Sequence, residues 1–109
     1  MAALGALGRI LGAPGTPPFR GPPDQAHARV LAAIGMLRGW QLAGQTPDVL
    51  WATRTTSVFG FVDDVIILLT PRGAGTLVEA RSASRIGRRD LGRNRSTLRE
   101  LRDVLSRWA

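Results

Sequence analysis

Two consecutive aspartates, Asp63 and Asp64, lie within a strongly apolar segment, where carboxyl groups are candidates for acid–base chemistry. The segment 61–70 (FVDDVIILLT) is rich in β-branched residues and predicts a strand. Successive side chains on a strand point to opposite faces of the sheet. The two carboxyl groups therefore cannot flank one substrate bond, which argues against a paired-carboxylate hydrolase. We expect one of them to face solvent and the other to be paired beneath a covering layer.

Arginines on the neighbouring predicted strands face these carboxylates. If both flanking segments fold back as hairpins, Arg54 falls opposite Asp63 or within a residue of it, and Asp64 falls within a residue of Arg81. Cross-strand pairs of opposite charge contribute roughly 0.2–1 kcal/mol each. The cluster can be a structural set of ion pairs or a site, and both interpretations remain open. Its candidate members are Arg54, Asp63, Asp64, Arg81, Ser82, Ser84 and Arg85.

A charged segment with two glycines, GRRDLGRNR at 87–95, leads from the last predicted strand into a helix. Free amides and guanidinium groups before a helix can bind an anion. The spacing matches neither a P-loop nor a dinucleotide-binding loop. Asp90 and Asn94 can equally be turn and cap residues. The candidate anion-binding loop comprises Gly87, Arg88, Arg89, Asp90, Gly92, Asn94 and Arg95.

No residue type or spacing indicates a metal site or a cofactor. His27 is the only histidine and the chain contains no cysteine, so neither a His/Cys metal site nor a histidine-based triad is expected. We expect His27 to be a surface residue near a helix start. Trp40, Trp51 and Trp108 are expected to pack in the core or at its rim rather than serve as base-stacking platforms.

The elements that position these residues follow from apolar spacing. Helical intervals between Val30 and Leu37 predict a first helix over about 25–38, with Asp24 as its N-cap and Gly39 at its end. Three strand-like runs follow, at 49–56, 61–70 and 76–86. The short turns between them predict antiparallel neighbours.

A second helix is predicted after the charged loop, with Arg99 and Asp103 expected to pair across one turn. Its apolar stripe is formed by Leu98, Leu101, Leu105 and Trp108. The predicted fold is therefore α+β: a helix, a three-stranded antiparallel meander and a second helix, with the helices packed on one sheet face.

Residues 1–23 are expected to form an apolar and Pro-rich flexible segment that precedes a single domain at 24–109. Three glycines interrupt the apolar residues 1–13, and five prolines follow between Pro14 and Pro23. No stretch approaches the roughly 20 apolar residues of a membrane span. No export signal is evident, which favours the bacterial cytoplasm or its membrane face.

The positive charge is concentrated in one part of the chain. The net charge is +7 and all 15 basic residues are arginine. Nine of them lie from Arg81 onward, against only Asp90, Glu100 and Asp103. A GC-rich genome explains the choice of arginine over lysine, but a local excess of arginine can still attract an anionic ligand, membrane surface or protein.

Two segments, 59–69 (FGFVDDVIILL) and 80–101 (ARSASRIGRRDLGRNRSTLREL), together resemble the domain-of-unknown-function 1499 family, DUF1499. The segment 51–56 (WATRTT) also fits the first strand of that family, and the resemblance covers about 24–108. It implies no biochemical activity. The family's motif positions fall here on Phe61, Asp63, Asp64, Arg81, Ser82, Ser84, Arg85, Gly87, Asp90, Leu91, Gly92, Asn94 and Arg95.

Three functions fit these features. The first is a non-catalytic binding or accessory module that engages an anionic ligand, membrane surface or protein through Arg81, Arg85 and the segment 88–95. The second is an enzyme of unknown type that uses the region of Asp63, Asp64 and Arg81. The third is a weak, nonspecific nucleic-acid binder, since sequence-specific recognition is not expected.

Overall fold

The computed structural model of the chain describes residues 6–11, 18–56, 60–84 and 91–106, with side chains described at 18–56, 60–83 and 97–106. These residues form eight elements, which are β1 (Ala6–Leu11), β2 (Phe19–Arg20), α1 (Pro23–Met36), β3 (Trp40–Thr46), β4 (Val49–Thr55), β5 (Val62–Arg72), β6 (Gly75–Ser84) and α2 (Leu91–Ser106).

The sheet is larger than the sequence predicts. Its strand order is β1-β6-β5-β4-β3, and β2 also pairs with β6. All of these pairings are antiparallel. The fold is α+β, but the predicted arrangement of a helix, a three-stranded meander and a helix is wrong, because three further strands flank the meander β4-β5-β6.

One missed strand, β3, precedes the predicted meander. Its sequence, WQLAGQT, has few β-branched residues and includes Gly44, so its composition does not indicate a strand. It forms because a tight turn at Pro47 and Asp48 folds it against β4, where Thr46 lies opposite Val49. The pairing shifts register between Leu42 and Gly44. Such an irregularity makes an edge strand a poor template for pairing with another chain.

The other two missed strands lie within residues 1–23. Both pair with β6 on the edge that β5 leaves open: Ala6 lies opposite Ser82, and Phe19 lies opposite Thr76. Glycine and proline in this segment lower its intrinsic preference for a strand. The unpaired amides and carbonyls of a β6 edge would favour such pairing despite that low preference.

Helix α1 begins earlier than predicted. Pro23 occupies the first turn, where its missing N–H costs nothing, and Pro22 is the N-cap residue. The predicted cap at Asp24 is therefore wrong, although its carboxylate accepts a hydrogen bond from the Gln25 amide at 2.9 Å. The helix ends at Met36, and Gly39 has the predicted positive φ, 85°.

Both helices pack on one face of the sheet, which we call the inner face. The core between them is continuous and includes Val30 and Ile34 of α1, Leu50 and Ile67 of the sheet, and Leu101 of α2. We call the opposite side of the sheet the outer face. Alternation assigns odd-numbered residues of β5 to the inner face and even-numbered residues to the outer face.

The described part of α2 has the predicted amphipathic pattern. Leu101 and Leu105 are buried, Leu98 packs against the core, and Arg99 and Arg102 are exposed. The predicted pairing of Arg99 with Asp103 is wrong, because Asp103 lies 3.6 Å from Arg102 instead. The helix begins at Leu91, so Gly92, Asn94 and Arg95 belong to its first turns rather than to a loop.

Candidate functional site

The motif acid Asp63 lies where a side chain of α2 reaches the sheet. It is fully buried, on the inner face of β5, directly opposite Arg54 of β4. The predicted alignment of Arg54 with Asp63 is therefore confirmed. The hydroxyl group of Thr97, which is also fully buried, donates a hydrogen bond to Asp63 Oδ2 at 3.2 Å. This hydrogen bond connects Asp63 of the sheet to Thr97 of α2.

Thr97 also connects Asp63 to a larger polar network. The Arg54 guanidinium group donates to the Thr97 hydroxyl at 3.4 Å, and its second nitrogen pairs with Glu100 Oε2 at 3.2 Å. The other oxygen of Glu100 accepts a hydrogen bond from Trp40 Nε1 at 2.6 Å. We call these five residues the Asp63 network. It connects β3, β4, β5 and α2 through side-chain contacts.

Burial makes the Asp63 network costly to disrupt. The Arg54 side chain is 19 % exposed and that of Glu100 is 33 % exposed, while Asp63 is not exposed at all. Polar groups removed from water lose free energy unless they keep their hydrogen bonds. The network satisfies both carboxylate oxygens of Glu100 and uses the Thr97 hydroxyl as donor and acceptor at once.

Asp64 and Arg81 lie on the outer face. Asp64 is opposite Ala83, and Arg81 is opposite Ile66. The two charges are therefore two positions apart along the ladder, and the prediction that they align within one residue is wrong. Asp64 is half-buried, whereas Arg81 is exposed and makes no hydrogen bond or ion pair with any residue of the described ranges. The prediction that the two aspartates point to opposite faces, with one of them covered, is confirmed, but Asp64 is half-buried rather than fully in solvent.

The remaining described candidate residues lie on β6 and in α2. Ser82 is fully buried on the inner face opposite Val65, and Ser84 lies opposite Asp63 in the ladder. Gly92, Asn94 and Arg95 lie in the first part of α2. The predicted roles of Arg85 and of Gly87, Arg88, Arg89 and Asp90 lie outside the described residues.

A model of the family described as "Protein of unknown function (DUF1499)" matches residues 13–105. The chain belongs to the DUF1499 family. A comparison with curated proteins finds no match. The described DUF1499 motif residues are thus divided by the sheet: Asp63 and Ser82 lie beneath the helices, while Asp64 and Arg81 lie on the outer face.

The outer face of this DUF1499 domain also carries an aromatic side chain that sequence reasoning assigned to packing. Trp51 is 40 % exposed and lies opposite Ile66, which in turn lies opposite Arg81. Its ring lies next to Gly44 of β3, where a Cβ atom would be 3.3 Å from Trp51 Cε3. The missing side chain at Gly44 leaves room for the ring. Trp40, in contrast, is buried, as expected for a packing role.

The sequence analysis missed Thr97, Glu100 and the role of Trp40. Helical spacing was a usable signal for Thr97, because it lies one turn before Leu101 and hence on the buried side of α2. His27 is half-buried, and its Nε2 lies 3.0 Å from the Thr46 carbonyl oxygen. Within the described ranges, no group of three or more His, Asp or Glu side chains could hold a metal ion. No described helix is long and apolar enough to cross a membrane.

Proposed function

We propose that this domain is a non-catalytic binding or accessory module whose basic surface engages an anionic partner. The proposed surface begins at Arg81 on the outer face and continues through Arg85 and the segment 88–95. The partner is an anionic ligand, a membrane surface or a protein. We further propose that the protein acts in the bacterial cytoplasm or at the cytoplasmic face of its membrane.

The exposure of Arg81 is the observation that carries this proposal. Arg81 is a motif residue, yet it lies in solvent without an acceptor among the described residues. A guanidinium group held on a rigid strand can bind a carboxylate or phosphate group with little further ordering. The arginine excess that follows Arg81 in the chain would add long-range attraction.

The placement of the two motif aspartates supports a binding role over an enzymatic one. Asp63 is fully buried and bonded to Thr97, while Asp64 lies on the opposite face of β5. A general acid or base must come within hydrogen-bonding reach of its substrate. With one carboxylate covered by α2, the pair has no common space in which a substrate could contact both.

Substituting Arg81 or Arg85 by alanine is expected to weaken binding to anionic vesicles. Each arginine near an anionic surface contributes about 1 kcal/mol, so each substitution should reduce the partition coefficient about fivefold. Co-sedimentation with vesicles of anionic and of neutral lipid measures the effect. Arg38→Ala is the matched control, because Arg38 is also exposed but lies between α1 and β3, outside the proposed surface. Equal losses in all three variants would show that only net charge matters.

A second candidate function is weak nucleic-acid binding, which the exposed Trp51 favours. Trp51 and Arg81 lie in one row across the outer face, with Ile66 between them. An exposed aromatic ring and a cation on the same surface can bind single-stranded nucleic acid, the ring by stacking on a base and the cation by its charge. It is proposed as the lesser candidate because one aromatic residue makes a small stacking surface.

Fluorescence anisotropy with single-stranded and duplex oligonucleotides is expected to show weak, sequence-independent binding. The affinity should fall steeply between low and physiological salt, because counterion release drives such binding. Trp51→Ala should reduce binding to the single strand and leave duplex binding unchanged. A clear sequence preference at physiological salt would instead make nucleic-acid recognition the main function.

A further inference from the structure

The turn end of the β5–β6 hairpin brings two arginines to the same face of the sheet. Arg20 of β2 lies opposite Gly75 of β6, and Gly75 lies opposite Arg72 of β5. Opposed residues of an antiparallel pair point to the same side of the sheet. Both arginine side chains therefore belong to the outer face, and their backbones are separated by two strand spacings, or about 10 Å.

Gly75 allows β2 to lie close to β6. It contributes no side chain to the row, and a Cβ atom at this position would collide with the Phe19 carbonyl oxygen. Any other residue would push β2 away from β6. The close approach of β2, which places Arg20 beside the hairpin, thus depends on this glycine.

An open pocket of about 510 Å³ lies at this end of the sheet. Arg20 and Arg72 are its charged lining residues and Pro18 and Ala74 are apolar ones, while the Phe19 side chain lies in the core. The described residues that line the pocket include no aspartate or glutamate. Both arginines are exposed, and neither makes a hydrogen bond or ion pair with a residue that the structure describes. Arg20 and Arg72 thus line one concave surface, and neither has a charged partner among the described residues.

We propose that this pocket binds the phosphate group of a phosphate monoester, with Arg20 and Arg72 as the binding side chains. Each guanidinium group offers a planar fork of donors to a pair of oxygens. One fork can occupy both oxygens of a carboxylate. A phosphate monoester has three terminal oxygens and close to two negative charges near neutral pH, so it can accept from both forks. Pro18 and Ala74 form the apolar wall that contacts the organic part of the ligand.

This pocket is separate from the surface named under the proposed function. Gly75 and Arg81 are six residues apart on β6, or about 20 Å along the strand. Arg72 and Asp63 lie at opposite ends of the paired part of β5. Loss of anion binding at one location therefore leaves the other intact, and the two proposals fail or hold independently.

NMR titration of the full chain with phenyl phosphate, at constant ionic strength, tests the pocket. Saturable shifts are expected at the amides of Arg20, Gly21, Arg72 and Gly75. Arg20→Ala and Arg72→Ala should each lower the affinity about tenfold, as expected for loss of one hydrogen bond between charged groups. Arg38→Ala should leave the affinity unchanged, and benzoate should bind more weakly than phenyl phosphate.

The remaining outcomes separate the possible sources of the phosphate group. If vesicles that contain phosphatidic acid shift the same amides and soluble phenyl phosphate does not, the pocket binds a lipid head group through the same chemistry. The proposal is overturned if shifts spread evenly over exposed arginines, or if Arg38→Ala weakens binding as much as Arg72→Ala. Equal affinity for benzoate and phenyl phosphate would also overturn it, because a carboxylate would then suffice.

Discussion

Replacing Asp63 by alanine is expected to lower the free energy of unfolding by about 3 kcal/mol, because it removes a fully buried, hydrogen-bonded carboxylate. The Thr97 hydroxyl loses its acceptor inside the protein, and the Arg54 guanidinium group loses the negative charge across the β4–β5 ladder. Thr97 is fully buried, so water cannot replace the lost Asp63 acceptor while α2 covers it. Urea denaturation followed by circular dichroism measures the change.

Neighbouring variants provide the controls for Asp63→Ala. Asp64→Ala changes the adjacent carboxylate, which lies half-buried on the outer face, and should cost less. Thr97→Val removes the shared hydroxyl with little change of shape, whereas Thr97→Ser keeps it. The effects of Asp63→Ala and Thr97→Val should be non-additive by at least about 0.5 kcal/mol, since the residues are in contact. Additive losses, or equal costs at Asp63 and Asp64, would contradict a buried network.

The central strands could be predicted because their own residues have a strong preference for the strand conformation. Strand β5 is observed at Val62–Arg72, close to the predicted 61–70, and β4 at Val49–Thr55 is close to the predicted 49–56. Both are rich in β-branched residues and stand at the centre of the sheet. Local preference and tertiary environment therefore favour the same structure in these two segments.

The outer strands could not be predicted from composition because their partners stabilise them. Strands β1 and β3 contain glycine and few β-branched residues, and each pairs along only one edge with a strand of stronger preference. One signal for β3 was available. The turn residues Pro47 and Asp48 stand between Thr46 and Val49, which is a pattern typical of a tight turn between paired segments.

Strand alternation predicted that the two aspartates separate, but not which of them is buried. That assignment depends on the face that α2 covers, and a shift of register by one residue would reverse it. Folding the chain about the short turn between β4 and β5 aligned Arg54 with Asp63 correctly. The alignment of Asp64 with Arg81 was wrong because the predicted turn at 71–75 is centred on Gly73, whereas the observed turn is centred between Gly73 and Ala74, which shifts the pairing by one residue.

The contact between Glu100 and Trp40 could not be predicted from the sequence, because it depends on the tertiary structure. Sixty residues separate them, and their hydrogen bond exists because β3 lies beside β4 and the Glu100 side chain of α2 reaches both Trp40 of β3 and Arg54 of β4. The motif residue Asp63 is thus connected to α2 through Thr97, which lies outside the motif and joins Asp63 to Arg54 and Glu100.

Replacing Leu101 by alanine is expected to cost about 3–4 kcal/mol of unfolding free energy, because a fully buried leucine leaves a cavity when truncated. Leu101 is the apolar residue next to Glu100 and one turn after Thr97, so it holds the helix that presents both polar side chains to Arg54. Loss of packing here should also weaken the Asp63 network. Thermal and urea unfolding would measure the stability. The hydrogen-exchange rate of the Trp40 indole proton would report on the Asp63 network.

Arg102→Ala is the matched control, since it changes the next residue of α2 on the exposed side. Its side chain is 49 % exposed and lies 3.6 Å from Asp103, also an exposed residue. Exposed pairs of this kind contribute about 0–1 kcal/mol, so the variant should remain close to the parent in stability. Indole exchange of Trp40 should be faster in Leu101→Ala and unchanged in Arg102→Ala. If Leu101→Ala lowered stability while leaving that exchange rate unaltered, helix packing and the Asp63 network would be independent of each other.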